Sequence, residues 1–257
     1  IISILFSKSA LISACLSDVD VIILAGGLGS RLAPRIAGKP KVLAPVNGKP
    51  FLEFLFRWLS SQGAKKIILS LGYLADQVIE YIEKNEKYDM KIVYAVEDKQ
   101  LGTAGALSFV SEYIENYPAI VINGDSFVSA DFCNLIEFHK TSSALVTILS
   151  ALVGDVKRFG EIKVSGNADI VSFLEKGNNS SSGYINAGIY VMSYEALDFV
   201  KTFDIGSLEI DVFSQLKLGD LKAYRGKFDF IDIGTPQSYE RSSEVLRPYF
   251  DRLGIIS

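Results

Sequence analysis

Three glycines and three basic residues near the start of the sequence have the composition of a polyphosphate-binding site. Residues 24–32 read LAGGLGSRL and directly follow a short apolar run. Glycines in such a turn let the backbone approach a ligand closely and direct its amide groups towards phosphate oxygens. Arg31 closes the turn, and Lys39 and Lys41 follow it. We therefore expect these three cations at the mouth of the turn, where they can neutralise a bound anion.

Two better-known phosphate-binding patterns are absent from this segment. The dinucleotide fingerprint needs a third glycine where Leu32 stands, and a P-loop needs Gly-Lys-Ser or Gly-Lys-Thr after its glycines. A nicotinamide-dependent dehydrogenase also needs an acid at the end of its second strand, but Ser70-Leu71-Gly72 occupies that place. That class of enzyme is disfavoured.

Two aspartates are candidate metal ligands. Asp125 follows a run of apolar residues at 119–122, and Asp232 lies within another predicted strand at 228–233. Ligands of open α/β sheets usually bind beyond the carboxyl ends of strands, and carboxylate oxygens suit Mg²⁺. Spacing alone cannot show that these two residues meet. Taken singly, each aspartate fits a capping or turn role better.

Composition excludes several classes of function. The chain has 257 residues, 49% hydrophobic and 22% charged, which suits one large domain. Its 26 basic and 30 acidic residues give a net charge of −4, and no basic block is present, so a nucleic-acid partner is disfavoured. With His139 as the only histidine, a multi-histidine zinc site is impossible, and a serine-histidine-aspartate relay would have to use it.

His139 and the two cysteines have structural interpretations. His139 shares a helical spacing with Phe132, Leu135 and Ile136, which predicts a histidine packed in the core. Cys15 and Cys133 are distant in sequence and form no CxxC pair. This favours a reducing compartment, the cytoplasm, over a disulfide framework.

Residues 1–18 form an apolar segment of unknown role. Lys8 interrupts the apolar run, which therefore fits neither a secretory signal nor a membrane span of about 20 apolar residues. We interpret the segment as a nonfunctional extension or a misplaced start, with a docking element or a targeting segment as alternatives. Residues 19–257 are expected to form a single domain.

The remaining pattern predicts an α/β fold. Strands are expected at 21–24, 67–69, 92–96 and 119–122, separated by helical spacing at 51–59 and 75–82. From about residue 144 the pattern changes to longer strands at 145–153, 161–164, 170–174 and 185–192, which predicts a more antiparallel second half. Thr235 is expected to cap a helix that begins at Pro236.

The sequence resembles the sugar-1-phosphate nucleotidyltransferases from about residue 19 to residue 246. Their signature is a glycine-rich loop that closes on Arg-Leu, then a lysine four residues before a proline, as at Lys41 and Pro45. The resemblance implies a Rossmann-like, mostly parallel mixed sheet of the nucleotide-diphospho-sugar transferase type, whose more antiparallel half binds the sugar. Ser30 in place of the common threonine and Val42 in place of a frequent proline are the departures; neither removes a charge.

The resemblance also implies a role for each candidate residue. Arg31 and Lys41 would bind the triphosphate and stabilise the departing pyrophosphate, while Asp125 and Asp232 would share one Mg²⁺. Glu97, a carboxylate that can accept hydrogen bonds from guanine, would read the base and favour GTP over UTP. The nucleotide site would comprise Ala25, Gly26, Gly27, Gly29, Ser30, Arg31, Lys41, Glu97, Gly102 and Thr103. The sugar phosphate would contact Gly160, Glu175, Lys176 and Asn186.

Within the family, segments 44–53, 70–73 and 231–239 are most similar to D-glycero-D-manno-heptose 1-phosphate guanylyltransferases. The expected substrates are an NTP and a sugar 1-phosphate, with no nucleic acid or membrane partner and the oligomeric state left open. Mannose-1-phosphate guanylyltransferases and N-acetylmuramate 1-phosphate uridylyltransferases are the enzymatic alternatives. A nucleotide-sugar-binding regulatory subunit is the non-enzymatic one; it would be expected to lack a metal aspartate or a loop cation, and this sequence has them all.

Overall fold

A computed structural model describes residues 14–36, 38–85, 88–174, 177 and 181–255. Its strands are β1 (Val21–Leu24), β2 (Pro45–Val46), β3 (Lys49–Pro50), β4 (Lys66–Leu71), β5 (Lys91–Val96), β6 (Ala119–Asn123), β7 (Ser126–Val128), β8 (Val146–Val153), β9 (Glu161–Val164), β10 (Ile170–Leu174), β11 (Gly183–Met192), β12 (Leu221–Gly226) and β13 (Phe230–Asp232). Its α-helices are α1 (Phe51–Ser61), α2 (Ala75–Asn85), α3 (Gly102–Val110), α4 (Phe132–Ser142), α5 (Tyr194–Val200) and α6 (Pro236–Arg252).

The predicted α/β class is confirmed by the central sheet. Seven of the described strands pair in the order β12-β8-β11-β6-β1-β4-β5. Neighbours in the half that contains β1 run parallel, whereas β11 runs antiparallel to both β6 and β8. The β9–β10 and β7–β13 pairs are also antiparallel. The second half is therefore more antiparallel, as expected, although its edge strand β12 pairs with β8 in parallel.

Aromatic packing holds the strand that follows Asp125. The Phe127 ring on β7 lies 5.1 Å from the Phe54 ring and 4.9 Å from the Trp58 ring, both on α1. Phe54 and Phe127 are fully buried. Burial of such side chains stabilises the fold by about 1.5–3 kcal/mol each, so α1 fixes the backbone beside Asp125.

Two further predictions are confirmed. His139 is buried, and its Nδ1 lies 2.9 Å from the Thr147 hydroxyl. Helix α6 begins at Pro236, and the Thr235 hydroxyl accepts a hydrogen bond from the Ser238 backbone, which caps the helix.

The expectation for the cysteines is wrong in one respect, because Cys15 and Cys133 form a disulfide with a Cα–Cα distance of 5.1 Å. Gln62 explains how residues 118 positions apart meet. Its backbone carbonyl accepts from the Leu16 N–H at 3.1 Å, and its side-chain oxygen accepts from the Phe132 N–H at 3.2 Å. Each of these donors is next to a cysteine, and sequence separation carries no information about such a contact.

Residues 14–18 pack on the domain, with Leu16 fully buried in the core. Residues 1–13 of the predicted extension lie outside the described part of the chain. Within the described ranges, no helix is both long and apolar enough to cross a bilayer.

Candidate functional site

A cavity of about 270 Å³ opens beyond the carboxyl ends of β1 and β6. Most of the predicted nucleotide residues line it: Ala25, Gly26, Gly27, Gly29, Lys41, Glu97, Gly102 and Thr103. Asp125 lines it as well. Residues from four separate stretches of sequence therefore meet at one edge of the sheet, where open α/β folds bind ligands.

The glycine turn packs directly against the stem of the Lys41 side chain. Gly29 has a φ of +59°, and its carbonyl accepts hydrogen bonds from the Leu32 and Ala33 N–H groups. A β-carbon at this position would lie 3.1 Å from the Lys41 β-carbon. A larger residue would therefore meet both backbone strain and a steric contact, so glycine lets the lysine stem lie on the turn.

Lys41 forms an ion pair with Asp125, although 84 residues separate them. Both side chains are largely shielded from solvent, with 16% and 26% of their surfaces exposed. Burial opposes ionisation of Asp125, but the Lys41 ammonium and the Ser126 hydroxyl outweigh it and hold the pKa of Asp125 below its usual value. The carboxylate is therefore charged at neutral pH.

Asp232 lies beside Asp125 because β13 pairs with β7. Asp232 is opposite Ser126 in this ladder, and the Ile233 N–H donates to the Asp125 carbonyl at 2.9 Å. A β-carbon built on Gly234 would lie 2.7 Å from Asp232 Oδ1, 3.3 Å from Lys41 Nζ and 3.6 Å from Asp125 Oδ2. Both carboxylates therefore reach one small space, which a glycine leaves open.

Arg158 pairs with the second aspartate. Its Nη2 donates to Asp232 Oδ2 and, at 3.0 Å, to the Ser238 hydroxyl. Its guanidinium also lies 4.7 Å from the centre of the Phe159 ring. Each of the two aspartates is thus paired with a cation, Asp125 with Lys41 and Asp232 with Arg158. Two hard carboxylate ligands close together fit a divalent cation, which would replace Lys41 and Arg158 as the partner of the two carboxylates.

Glu97 is a half-buried residue that lines the cavity and packs against two glycines. β-Carbons at Gly26 and Gly72 would each lie 2.8 Å from Glu97 Oε1, so both positions must be small. Burial raises the pKa of Glu97, and the Leu101 backbone offsets this by hydrogen bonding to the carboxylate. Glu97 Oε2 is buried without a hydrogen-bond partner among the described residues. An acceptor left in this way is available to a donor group of a ligand.

Two predicted nucleotide residues lie at the rim. Ser30 and Arg31 are exposed and are not among the residues that line the cavity. A long cationic side chain at the rim can reach a phosphate that projects from the cavity.

The predicted sugar residues are only partly described. Gly160 and Asn186 line a second cavity, of about 930 Å³, while Glu175 and Lys176 lie outside the described residues. Their predicted roles therefore stay predictions.

Sequence reasoning missed Arg158 and Asn123. Arg158 was visible only as the neighbour of Phe159 and Gly160, and nothing in its spacing pointed to Asp232. Asn123 precedes Gly124 and Asp125 in the same motif; it lines the nucleotide cavity, and its buried Oδ1 has no hydrogen-bond partner within the described ranges. The signal for Asn123 was its position at the end of a buried strand, where polar residues are expected to face a ligand.

Comparisons with known proteins identify relatives of this chain. A D-glycero-α-D-manno-heptose 1-phosphate guanylyltransferase from Campylobacter jejuni is 37% identical over 223 residues, which are 86% of this chain and 97% of that protein. A mannose-1-phosphate guanylyltransferase from Mycobacterium tuberculosis is 34% identical over 89% of this chain and 65% of that protein. HddC from Yersinia pseudotuberculosis, solved in complex with GMP-PN, superposes with a TM-score of 0.79 at 36% identity and covers 88% of this chain and 98% of that one.

The family described as nucleotidyl transferase matches residues 20–247, a range that contains every residue of the cavity described above. Three findings lead to the same assignment: the match to the family, the shared fold, and the cluster of glycines, lysine and two aspartates. The chain belongs to the nucleotidyl transferase family.

Proposed function

We propose that this protein transfers GMP from GTP to D-glycero-α-D-manno-heptose 1-phosphate, forming a GDP-sugar and releasing pyrophosphate. The observation that carries the proposal is the buried, unpartnered Oε2 of Glu97, in a residue that lines the same cavity as Lys41 and Asp125. The name of the relative from Campylobacter jejuni and the nucleotide in the HddC complex support the same substrates.

Glu97 favours guanine on hydrogen-bonding grounds. Guanine presents two donors on its Watson–Crick edge, N1–H and the exocyclic amine, and a carboxylate offers only acceptors. The unpartnered Glu97 Oε2 would gain a donor from guanine but would face a carbonyl oxygen of uracil. A mismatch that leaves a buried carboxylate unpaired costs more than the matched bond gains, so the site discriminates by penalty.

The glycine turn and the cations would hold the triphosphate. Gly26, Gly27, Gly29 and Lys41 line the cavity, so the glycine amides and the lysine ammonium would contact phosphate oxygens. Ser30 and Arg31 at the rim would meet the outer phosphates. We infer that Lys41 and Arg31 stabilise charge on the departing pyrophosphate, because phosphoryl-type transfer depends on positioning and charge neutralisation.

Asp125 and Asp232 would hold Mg²⁺, which would supply positive charge to offset the negative charge of the reacting phosphate groups. Both carboxylates lie beside the space that Gly234 leaves open, and the pKa of Asp125 is lowered, so both features suit this role. Lys41 would then be released from Asp125 to contact the nucleotide.

The reaction balances without a covalent enzyme intermediate. A phosphate oxygen of the sugar 1-phosphate attacks the α-phosphorus of GTP, and the bond from that phosphorus to the α,β-bridging oxygen breaks. Pyrophosphate leaves with the bonding electron pair. The sugar phosphate is already ionised at neutral pH, so the protein needs no general base, which agrees with the single, buried His139.

The sugar side would comprise Gly160 and Asn186 with Glu175 and Lys176. Mannose 1-phosphate is the second candidate substrate, favoured by the relative from Mycobacterium tuberculosis. An N-acetylmuramate 1-phosphate uridylyltransferase is disfavoured by Glu97, and a regulatory subunit by the complete set of charged residues. We further propose that the protein works in the cytoplasm, where GTP is available.

A panel of GTP, ATP, UTP and CTP against heptose, mannose and glucose 1-phosphates, read as pyrophosphate release, tests the proposal. GTP with the heptose phosphate is expected to give the highest kcat/KM. Preference for UTP would contradict the role of Glu97, whereas preference for mannose 1-phosphate with GTP would leave that role intact and change only the sugar.

A further inference from the structure

Glu209 lies in the second cavity together with the predicted sugar residues. This cavity is lined on one side by the β9–β10 hairpin and on another by Leu208–Val212, a five-residue π-helical turn. Such turns are rare and frequently occur at functional sites. Glu209 is exposed at this turn and lines the same cavity as Gly160 and Asn186.

Asn186 uses its polar atoms within the protein. Its Nδ2 donates to the Tyr190 hydroxyl at 2.9 Å and also to the Glu209 carboxylate. Its Oδ1 accepts from the Gly188 N–H at 2.9 Å. Both amide hydrogens are therefore occupied, so the Asn186 side chain holds Glu209 in place and leaves the carboxylate of Glu209 as the acceptor that faces the cavity.

The backbone before Glu209 is hydrogen-bonded to the start of α3, where Gly102 and Thr103 line the nucleotide cavity. The Gly206 N–H donates a hydrogen bond to the Leu101 carbonyl at 2.9 Å. The Gly206 carbonyl accepts one from the Ala104 N–H at 2.8 Å. The Leu208 N–H donates to the Thr103 hydroxyl at 2.8 Å.

This contact is close enough to require glycine at position 102. Gly102 has a φ of +71°, and a β-carbon there would lie only 2.3 Å from the Gly206 carbonyl oxygen. The segment from Gly206 to Glu209 is therefore anchored at both ends, at the start of α3 and at Asn186. This holds the Glu209 carboxylate in a fixed position relative to the nucleotide cavity.

We propose that Glu209 accepts hydrogen bonds from hydroxyl groups of the sugar 1-phosphate and determines which sugar is bound. The inference rests on the proposed function and extends it to a residue outside the predicted site. A carboxylate repels phosphate but binds neighbouring hydroxyl groups well, so Glu209 faces the hydroxylated part of the sugar, away from the transferred phosphate. A sugar that lacks the contacted hydroxyl leaves the carboxylate unpaired and is rejected.

The test compares Glu209→Gln and Glu209→Ala with wild type and with Glu137→Gln, a control at an exposed acid on α4. Initial rates are measured with the sugar 1-phosphate varied at saturating GTP, and GTP affinity is measured separately by calorimetry. Both Glu209 variants are expected to raise KM for the sugar 1-phosphate about tenfold or more, because a charged hydrogen bond is lost. GTP affinity is expected to stay within about twofold of wild type, as in the control.

Sugar 1-phosphates that lack one hydroxyl at a time distinguish contact from a structural role. Wild type is expected to discriminate against one of these analogues, and Glu209→Gln is expected to lose that discrimination. An unchanged KM for the sugar in Glu209→Gln, or the same pattern of discrimination as wild type, would overturn the inference alone. A wild-type protein that releases no pyrophosphate with any sugar 1-phosphate would contradict the proposed function and the inference together.

Discussion

The ammonium group of Lys41 is paired with the carboxylate of Asp125 at the edge of the sheet. The lysine comes from the short turn after the glycine segment and the aspartate from the end of β6. In the proposed reaction both change partner, since Lys41 turns to the triphosphate and Asp125 to the metal. This exchange explains why a charged pair is kept in a largely buried position, where pairs contribute little net stability.

Replacing Asp125 by Asn removes one of the two carboxylates without changing the shape of the side chain. We expect kcat to fall by about two to three orders of magnitude, as when one oxyanion-stabilising group is lost elsewhere. The protein should still fold, with a lowered melting temperature, because the largely shielded Lys41 ammonium loses its charged partner but keeps an amide oxygen as acceptor. Near-normal turnover with Mg²⁺ would rule out Asp125 as a metal ligand.

Gly234→Ala tests the shared space between the two aspartates. The new methyl group would lie 2.7 Å from Asp232 Oδ1, so the carboxylate must move. We expect kcat to fall about 10- to 100-fold, since small misplacements at a reacting centre are costly. Gly166→Ala is the matched control, because no atom lies within 4 Å of its β-carbon. Equal activity of both variants would show that the space beside Gly234 is not used.

Glu97→Gln tests recognition of the base. The amide keeps one acceptor but adds a donor pair that guanine cannot satisfy, so KM for GTP should rise about tenfold or more. The preference for GTP over UTP should fall in parallel, because an amide suits uracil better. Glu83→Gln on the exposed face of α2 is the control. The expectation fails if the ratio of kcat/KM for the two nucleotides is the same in Glu97→Gln and wild type.

Arg158→Gln tests competition for Asp232. Arg158 pairs with the carboxylate that would bind a divalent cation in the proposed site, so removing Arg158 should tighten Mn²⁺ binding to the nucleotide-free protein about threefold or more. Electron paramagnetic resonance of free Mn²⁺ measures this affinity directly. Arg247→Gln, at an exposed position on α6, should leave it unchanged. Weaker binding in Arg158→Gln would mean that Arg158 positions the carboxylate for the metal instead of competing for it.

His139 makes stability depend on pH. Burial, with a smaller contribution from Lys140, lowers the pKa of His139 to about 4 from an unfolded value of 6.5. The buried neutral ring therefore contributes stability that is complete above pH 6.5 and is lost as the pH falls from 6.5 towards 4, by up to about 3 kcal/mol. Urea unfolding of wild type and His139→Gln at pH 7.5, 5.5 and 4.5 checks this. The difference in free energy of unfolding between wild type and His139→Gln should shrink as the pH falls. A difference that stays constant would contradict the lowered pKa of His139.

Local patterns predicted much of the fold. Strand β1 has the predicted bounds, and the helical spacing of Phe132 to His139 correctly indicated a buried histidine, because alternation and helical periodicity are local properties. The pairing of β12 with β8 and the meeting of Cys15 with Cys133 were not predictable, since both depend on contacts between distant segments.

The candidate site divides in the same way. Glycines after a strand and aspartates at strand ends are local signals, and the structure brings Lys41, Asp125 and Asp232 together. Arg158 and Glu209 were missed because their significance comes only from partners far away in sequence, Asp232 and Asn186. An isolated arginine or glutamate in a loop resembles any solvated charge.

³¹P NMR of the protein with Mg²⁺, GTP and D-glycero-α-D-manno-heptose 1-phosphate follows the transfer itself. We expect the sugar phosphate signal to disappear while signals of a mixed diphosphate and of pyrophosphate grow in equal amounts. In Asp125→Asn the same conversion should be slower by about two to three orders of magnitude. Release of inorganic phosphate from GTP, or an unchanged sugar phosphate signal with every nucleotide, would contradict the proposed transfer.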